Sequence, residues 1–176
     1  GEPVTNDNGQ TLLNSTAQIS QSDVIRRRWL ENDFYGAVYS LEFDRNIGDD
    51  RISAVLGGSY NEYDGDHFGE IIWMEHPDQV DYGDFYYFNN GFKTDFNTYF
   101  KVNYFLNNKL NVFGDLQYRQ VRYTVSGLDE NLVVQNVADS LNFFNPKFGL
   151  SYLISTNDQV YASYAVGNRE PMRADF

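Results

Sequence analysis

The chain has 176 residues, a formal net charge of −12 and no cysteine. This acidity disfavours nucleic-acid binding, because neutralising phosphates needs a basic surface. The lack of cysteine excludes a disulfide framework and a thiolate metal site, and no apolar run is long enough for a transmembrane helix. Aromatic residues make up 17% of the chain, which fits either an aromatic-rich sheet or the aromatic girdles of a membrane barrel.

The polar N-terminal stretch precedes a series of predicted strands. Residues 1–22 are rich in Asn, Thr, Ser and Gln, which predicts a loop or a frayed terminus. The three arginines at 26–28 favour a solvated patch over a binding site. Six strands follow, each about 10 to 15 residues long and able to cross a bilayer at a tilt: Phe34–Arg45, Arg51–Tyr63, Asp95–Leu106, Lys109–Thr124, Asn142–Ile154 and Gln159–Gly167.

The predicted connections alternate between short and long. Residues 46–50, 107–108 and 155–158 form tight turns, whereas Asp64–Thr94 and Val125–Leu141 form long loops. Asn107 and Asn108 indicate a two-residue hairpin, because Asn tolerates positive φ. An antiparallel meander with short turns at one end and long loops at the other is typical of outer-membrane barrels. Pro146 predicts a bulge or a strand start within the fifth strand, because proline cannot donate to a ladder.

The predicted strands alternate between apolar and polar residues. In the third strand, for example, Phe96 and Val102 oppose Asn97 and Lys101. Charges of both signs on the polar faces suit a wet or plugged lumen: Glu42, Asp44, Lys101, Asp115, Arg119 and Lys147. A sheet with one face in water gives the same pattern, but all six strands largely keep it at length. The expected fold is all-β, an antiparallel meander of about six long strands within a transmembrane barrel.

The long segment after the second strand holds the candidate binding residues. Residues 52–92 contain eight acids, both histidines and no Lys or Arg. They predict contacts to a cation, a cationic ligand or a sugar ring, and a solvated acidic loop would have the same composition. The spacing matches no standard metal motif, so no metal or cofactor is expected. The candidate ligand contacts are Asp64, Asp66, His67, Trp73, His76 and Tyr82.

No sequence pattern marks an active site. The chain has no GxSxG, no P-loop and no thiol, and nothing identifies any carboxylates as an acid/base pair. We therefore expect a protein without catalytic residues. Residues 168–171 predict a turn that ends the last strand before a proline, with a local pair between Arg169 and Glu170.

Several segments resemble one family. Asn145-Pro146-Lys147-Phe148-Gly149 and the later run from Val160 to Pro171 look like the mid-barrel region of TonB-dependent outer-membrane receptors. The segments 33–36 and 63–69 resemble barrel segments of the branch common in Bacteroidetes-type bacteria. The resemblance covers residues 25–176, and its segments match in the expected order.

The resemblance implies a location and partners. It implies a 22-stranded barrel in the bacterial outer membrane, of which this chain supplies about six strands without the plug and the TonB box. It further implies import of a ferric siderophore, haem, cobalamin or glycan, bound at extracellular loops. TonB would act through the absent plug, outer-membrane lipid would surround the barrel, and the isolated segment would self-associate.

Two other function classes stay open at this point. A complete soluble β-barrel that binds a lipid or glycan would need an apolar interior and a polar exterior. A secreted glycan-active enzyme domain would need two carboxylates at a fixed separation.

Overall fold

The chain forms a β-protein. The computed structural model describes residues 4–5, 11–12, 22–76, 80–107 and 109–171, and within these ranges no helix is long and apolar enough to span a membrane. The strands are β1 (Val4–Thr5), β2 (Thr11–Leu12), β3 (Val24–Ile47), β4 (Asp50–Met74), β5 (Phe85–Leu106), β6 (Leu110–Leu128), β7 (Val134–Leu153) and β8 (Gln159–Ala165). β1 and β2 pair only with each other. Most of the polar loop predicted over 1–22 lies outside the described residues.

The six long strands make one antiparallel meander. Their order is β3-β4-β5-β6-β7-β8, and each strand pairs with its sequence neighbour. This confirms the all-β meander that the alternating segments predict. Among the described strands, β3 and β8 do not pair with each other, so this sheet has two open edges and encloses no apolar interior. The total of 22 strands stays a prediction.

Five of the six long strands are longer than predicted, whereas β8 ends at Ala165 rather than Gly167, and both predicted long loops are wrong. β4 continues to Met74 and β5 begins at Phe85, so residues 75–84 replace the expected loop Asp64–Thr94. β6 continues to Leu128 and β7 begins at Val134, which leaves only residues 129–133 of the expected loop Val125–Leu141. The physical reason is that ladder hydrogen bonds extend these strands although their side chains no longer alternate between apolar and polar.

Tight turns join the strands at the opposite end of the sheet. Gly48 has a φ of +63° and Asn107 a φ of +49°, so both adopt the left-handed conformation that Gly and Asn tolerate best. In the β7–β8 turn, Ile154 N–H donates to the Asp158 carbonyl at 2.9 Å, and Ser155 Oγ donates to the Asp158 carboxylate at 2.7 Å. These turns fix the register of each hairpin.

The register gives the sheet two different faces. One cross-strand row contains Leu41, Leu56, Phe100 and Leu116, and the adjacent row on the other face contains Glu42, Val55, Lys101, Asp115 and Lys147. Leu41, Leu56 and Phe100 are exposed, whereas Lys101 lies 3.9 Å from Asp115. The first is named the apolar face and the second the polar face. A membrane barrel directs the apolar face to lipid and the polar face to its lumen.

Tyrosines mark both ends of the apolar face. Tyr60 Oη donates to Glu62 at 2.8 Å near one end, and Tyr104 Oη donates to Asp50 at 2.7 Å at the turn end. Buried or interfacial tyrosines typically place the ring in apolar surroundings and the hydroxyl on a polar partner. Asp50 and Glu62 are twelve residue steps apart in β4. This separation is about 40 Å along the strand and about 28 Å across a bilayer at a 45° tilt.

The expected bulge or strand start at Pro146 is wrong, because β7 begins earlier, at Val134. The β6–β7 register is uninterrupted, with Pro146 opposite Leu116. On the other side, pairing with β8 ends at Lys147 and Ala165, and Val166 N–H donates to the Pro146 carbonyl at 2.9 Å. The proline ring therefore lies where the β7–β8 ladder ends, so its missing N–H removes no internal ladder bond.

Candidate ligand-binding region

The six predicted contact residues lie at the end of the sheet opposite the tight turns, and they do not converge. Asp64, Asp66, His67 and Trp73 belong to β4 rather than to a loop, whereas His76 and Tyr82 lie in the connection 75–84. Asp64 and Asp66 project from the apolar face, because each lies an even number of residues from Leu56 and Tyr60 in the same strand. His67 projects from the polar face. A single site containing Asp64, Asp66 and His67 is therefore excluded by the pleat.

The two aspartates form a polar row on the apolar-face side. Asp64 lies opposite Asp33, and Asp66 lies opposite Glu31. Asn90 Nδ2 donates to Asp64 at 2.6 Å and to Asp66 at 2.8 Å. Like charges opposite each other destabilise a strand pair, and the shared amide donor offsets part of this repulsion.

The other candidates have separate surroundings. Trp73 lies opposite Ile25 beyond a register shift and is half exposed. The His76 backbone N–H donates to Ser22 Oγ at 3.1 Å, and the His76 ring lies 3.9 Å from Glu75. Tyr82 is 78% exposed and precedes Gly83 in a turn that Ile71 closes through backbone hydrogen bonds. Across the described ranges, no three His, Asp or Glu side chains are placed to hold a metal ion.

The three arginines predicted as a solvated patch divide between the two faces. Arg27 pairs with Glu70 at 3.0 Å and lies over the Trp29 ring at 4.5 Å on the apolar-face side. Trp29 Nε1 donates to the same carboxylate at 2.7 Å, and this bond, followed by that from Arg27, lowers the pKa of Glu70. Arg26 and Arg28 project from the polar face. The patch is therefore two separate arrangements on opposite sides of β3.

The polar-face arginines meet aromatic rings and a loop. The Arg26 guanidinium lies 4.8 Å from the centroid of the Tyr86 ring, and Arg28 forms an ion pair with Glu130. Tyr87 packs at 4.9 Å from Tyr86 and is buried, and burial is the main cause that raises its pKa. Contact between Arg28 and Glu130 shows that the connection 129–133 reaches from β6 and β7 across the polar face to β3.

The connection 129–133 is held by Asp129. Its Oδ1 accepts the backbone N–H groups of Asn131 at 2.8 Å and Val133 at 2.9 Å. The bond from Val133 is the main cause that lowers the pKa of Asp129. Leu132 has a φ of +62°, a strained conformation for a branched residue. Together with Arg26, Tyr86 and Glu130, Leu132 lines an open cavity of about 490 Å³.

A second charged network lies on the polar face, nearer the tight turns than Arg26. Arg119 Nε donates to Asp95 at 3.0 Å, and Lys93 donates to Glu170 at 2.8 Å. Glu170 also lies 3.4 Å from Arg119. Glu170 therefore forms ion pairs with basic side chains of β5 and β6, which places the segment after β8 across the polar face. The sequence predicts a turn here and a local pair between Arg169 and Glu170. It does not predict the long-range pairs of Glu170 with Lys93 and Arg119.

Sequence reasoning missed Arg26, Tyr86 and Glu130 as members of one region. The only available signal is the alternation of Arg26, Arg27 and Arg28, which places the outer two arginines on the same face of a strand. The contacts with Tyr86 and Glu130 join residues far apart in the sequence, and no local pattern encodes them.

Comparisons with known proteins agree with this architecture. The family model described as "TonB dependent receptor-like, beta-barrel" matches residues 3–175. The structure of the ferric-catecholate import receptor Fiu from E. coli K12, in an open form, is similar with a TM-score of 0.58 and 16% sequence identity. The similarity covers 81% of this chain and 26% of Fiu, so this chain spans about a quarter of that receptor. No curated protein matches the chain.

Proposed function

Because the chain belongs to the TonB-dependent receptor β-barrel family, we propose that it forms one section of an outer-membrane receptor that imports a scarce ligand. The ligand classes are a ferric siderophore, haem, cobalamin or a glycan. The observation that carries the proposal is the pairing of an exposed apolar face with a charged polar face on the same six strands. Strands of this kind separate lipid from a wet lumen.

The proposed orientation follows from the two ends of the sheet. The tight turns at Gly48, Asn107 and Ser155 face the periplasm, and the connections 75–84 and 129–133 face the exterior. Beyond Glu62, β4 continues for twelve residues to Met74, which is about 40 Å along the strand. The strands therefore form a wall above the lipid. The ligand binds inside this wall and passes through the lumen when TonB moves the plug.

The predicted ligand contacts are proposed unequally. His67 projects into the lumen, and His76 and Tyr82 lie at the rim, where an entering ligand reaches them. Asp64, Asp66 and Trp73 stay predictions, and the outward direction of the Asp64 and Asp66 side chains disfavours these two. They are better placed to meet solvent above the lipid surface.

Lipid is the proposed partner of the apolar face. This face carries exposed Leu41, Phe43, Leu56, Phe100 and Phe148, too large an apolar surface for a soluble monomer. The open edges of β3 and β8 pair with the remaining strands in the complete barrel. We propose that the chain self-associates when isolated, because unpaired edges and apolar surface favour association.

Uptake by the source bacterium tests the import proposal. The gene of the complete receptor is deleted, and accumulation of radiolabelled ferric siderophores, haem, cobalamin and oligosaccharides is measured with and without functional TonB. The proposal expects that deletion abolishes TonB-dependent accumulation of one ligand class and that reintroduction of the gene restores it. Unchanged accumulation of all four classes would contradict it. Location is tested separately by blotting outer-membrane fractions with antiserum against this chain.

A further inference from the structure

Arg26 differs from its neighbours in having no acidic partner. Arg27 pairs with Glu70 and Arg28 pairs with Glu130, whereas the described part of the chain gives Arg26 only the face of the Tyr86 ring. A guanidinium that stacks on an aromatic ring still has its N–H groups, which lie in the guanidinium plane, available to donate hydrogen bonds. Arg26 is therefore free to bind a further acceptor.

The surroundings of Arg26 form a pocket of ligand size. Its cavity of about 490 Å³ falls within the usual range for small-molecule sites, about 300 to 1,000 Å³. Val24, Ile71 and Leu132 supply apolar wall, and Asn131 adds an amide. These residues define the Arg26 pocket together with Arg26, Tyr86 and Glu130. The cavity opens on the polar face, away from the lipid.

The electrostatics of the pocket favour an anion. Arg28 neutralises Glu130 through their ion pair, which leaves the charge of Arg26 as the net charge of the three residues. Charge-assisted hydrogen bonds from Arg to a carboxylate or phosphate are stronger than neutral ones and are often bidentate. The apolar wall lowers the hydration of such a pair and adds contact with a ring or alkyl group.

The pocket is ordered before a ligand arrives. Asp129 accepts two backbone N–H groups of the connection 129–133 and binds Gln135 Nε2 at 3.1 Å. These bonds hold Leu132 at its positive φ, with its side chain on the cavity. A wall fixed in this way lowers the conformational entropy that ligand binding would otherwise cost.

We propose that the Arg26 pocket binds an anionic, ring-bearing group of the imported ligand, with a carboxylate or phosphate on Arg26 and the ring against Leu132 and Ile71. This inference rests on the proposed import function, since it assigns part of the ligand to a position inside the rim. It excludes a neutral glycan as the group held here.

Small aromatic probes test the pocket in the complete receptor, purified in detergent micelles. Benzoate and phenyl phosphate carry the expected anion, benzamide is the neutral analogue and benzamidine the cationic one. Dissociation constants are measured by ligand-observed NMR titration. The proposal expects both anions to bind at least about tenfold more tightly than benzamide, as loss of a charge-assisted hydrogen bond implies, with benzamidine binding the least.

Variants assign this preference to Arg26. Arg26→Gln should weaken benzoate binding about tenfold, and Arg26→Lys, which keeps the charge, should retain more affinity than Arg26→Gln. Arg27→Gln is the matched control, since it removes the same group one residue away on the opposite face, and it should leave benzoate binding unchanged. Far-ultraviolet circular dichroism checks that each variant keeps its β-structure.

The possible failures have separate meanings. Equal binding of benzoate and benzamide, or unchanged benzoate binding to Arg26→Gln, would overturn the pocket. An equal loss in Arg27→Gln would also overturn it, because the effect would then not belong to the polar face. None of these three results affects the import proposal, which the TonB-dependent uptake assay tests. Conversely, absent uptake with intact anion binding would contradict import alone.

Discussion

Leu56 offers the sharpest test of which face of the sheet contacts lipid. It lies six residues from both Asp50 and Glu62, the polar residues at the two ends of the apolar face in β4, and is exposed. An arginine at the bilayer midplane of a barrel costs about 2 to 4 kcal/mol, and the cost falls to about 0 to 1 kcal/mol near the interfaces. Leu56→Arg should therefore lower the free energy of unfolding by about 2 to 4 kcal/mol.

The assay is urea unfolding of the complete receptor refolded into lipid vesicles, followed by tryptophan fluorescence. Val55→Arg is the matched control, because Val55 lies on the polar face between Glu42 and Lys101 and should cost about 1 kcal/mol or less. Ile52→Arg, two residues from Asp50, should fall near the interfacial value. A cost for Val55→Arg that equals or exceeds that of Leu56→Arg would refute the assignment of the faces.

Two further predictions concern the rim. Gly69→Ala should destabilise the receptor by about 1 to 3 kcal/mol by overpacking, because its Cβ would overlap the Tyr86 and Tyr87 rings; urea unfolding measures this. Gly114→Ala is the control, since its Cβ would meet Phe148 at 3.5 Å, and an equal loss there would contradict the packing argument. Hydrogen bonding to the ionised carboxylate lowers the pKa of Asp129 from its usual 3.8. The hydrogen bonds from Asp129 should therefore hold residues 129–133 fully above pH 3.8, and this stabilisation should be lost as the pH falls through the lowered pKa of Asp129. Hydrogen exchange of the Val133 amide, corrected for the intrinsic rate, should show this loss. The variant Asp129→Asn keeps an acceptor but does not titrate, so it should abolish the pH dependence of exchange. A pH dependence that persists in this variant would contradict the assignment to Asp129.

The sequence predicts the part of the sheet between the tight turns and Glu62 well. Leu56 and Phe100 on one face, with Lys101 and Asp115 on the other, alternate because successive side chains of a strand point to opposite faces of the sheet. This alternation, with the short turns, is sufficient to predict six antiparallel strands. The family resemblance at residues 145–171 is confirmed by the family model.

Prediction fails where the chemical contrast between the faces ends. Asp64, Asp66 and His67 lie beyond Glu62, and they put polar side chains on both faces, so the local sequence does not alternate between apolar and polar residues. The backbone nevertheless continues its ladder to β5, because every residue there finds a hydrogen-bonding neighbour. Polar composition thus indicated a loop where the structure has a strand.

The sequence by itself determined the class of fold, the number of long strands and the apolar and polar side of each strand, because these follow from a local period of two residues. Only the tertiary structure decided that Arg26 contacts Tyr86 on the polar face while Arg27 pairs with Glu70 on the apolar-face side. It also decided that Asp64 and His67 project from opposite faces, and that Glu170 pairs with Lys93 and Arg119. Those outcomes depend on register and on contacts between residues distant in the chain. Strand pairing sets both, and no local sequence pattern contains them.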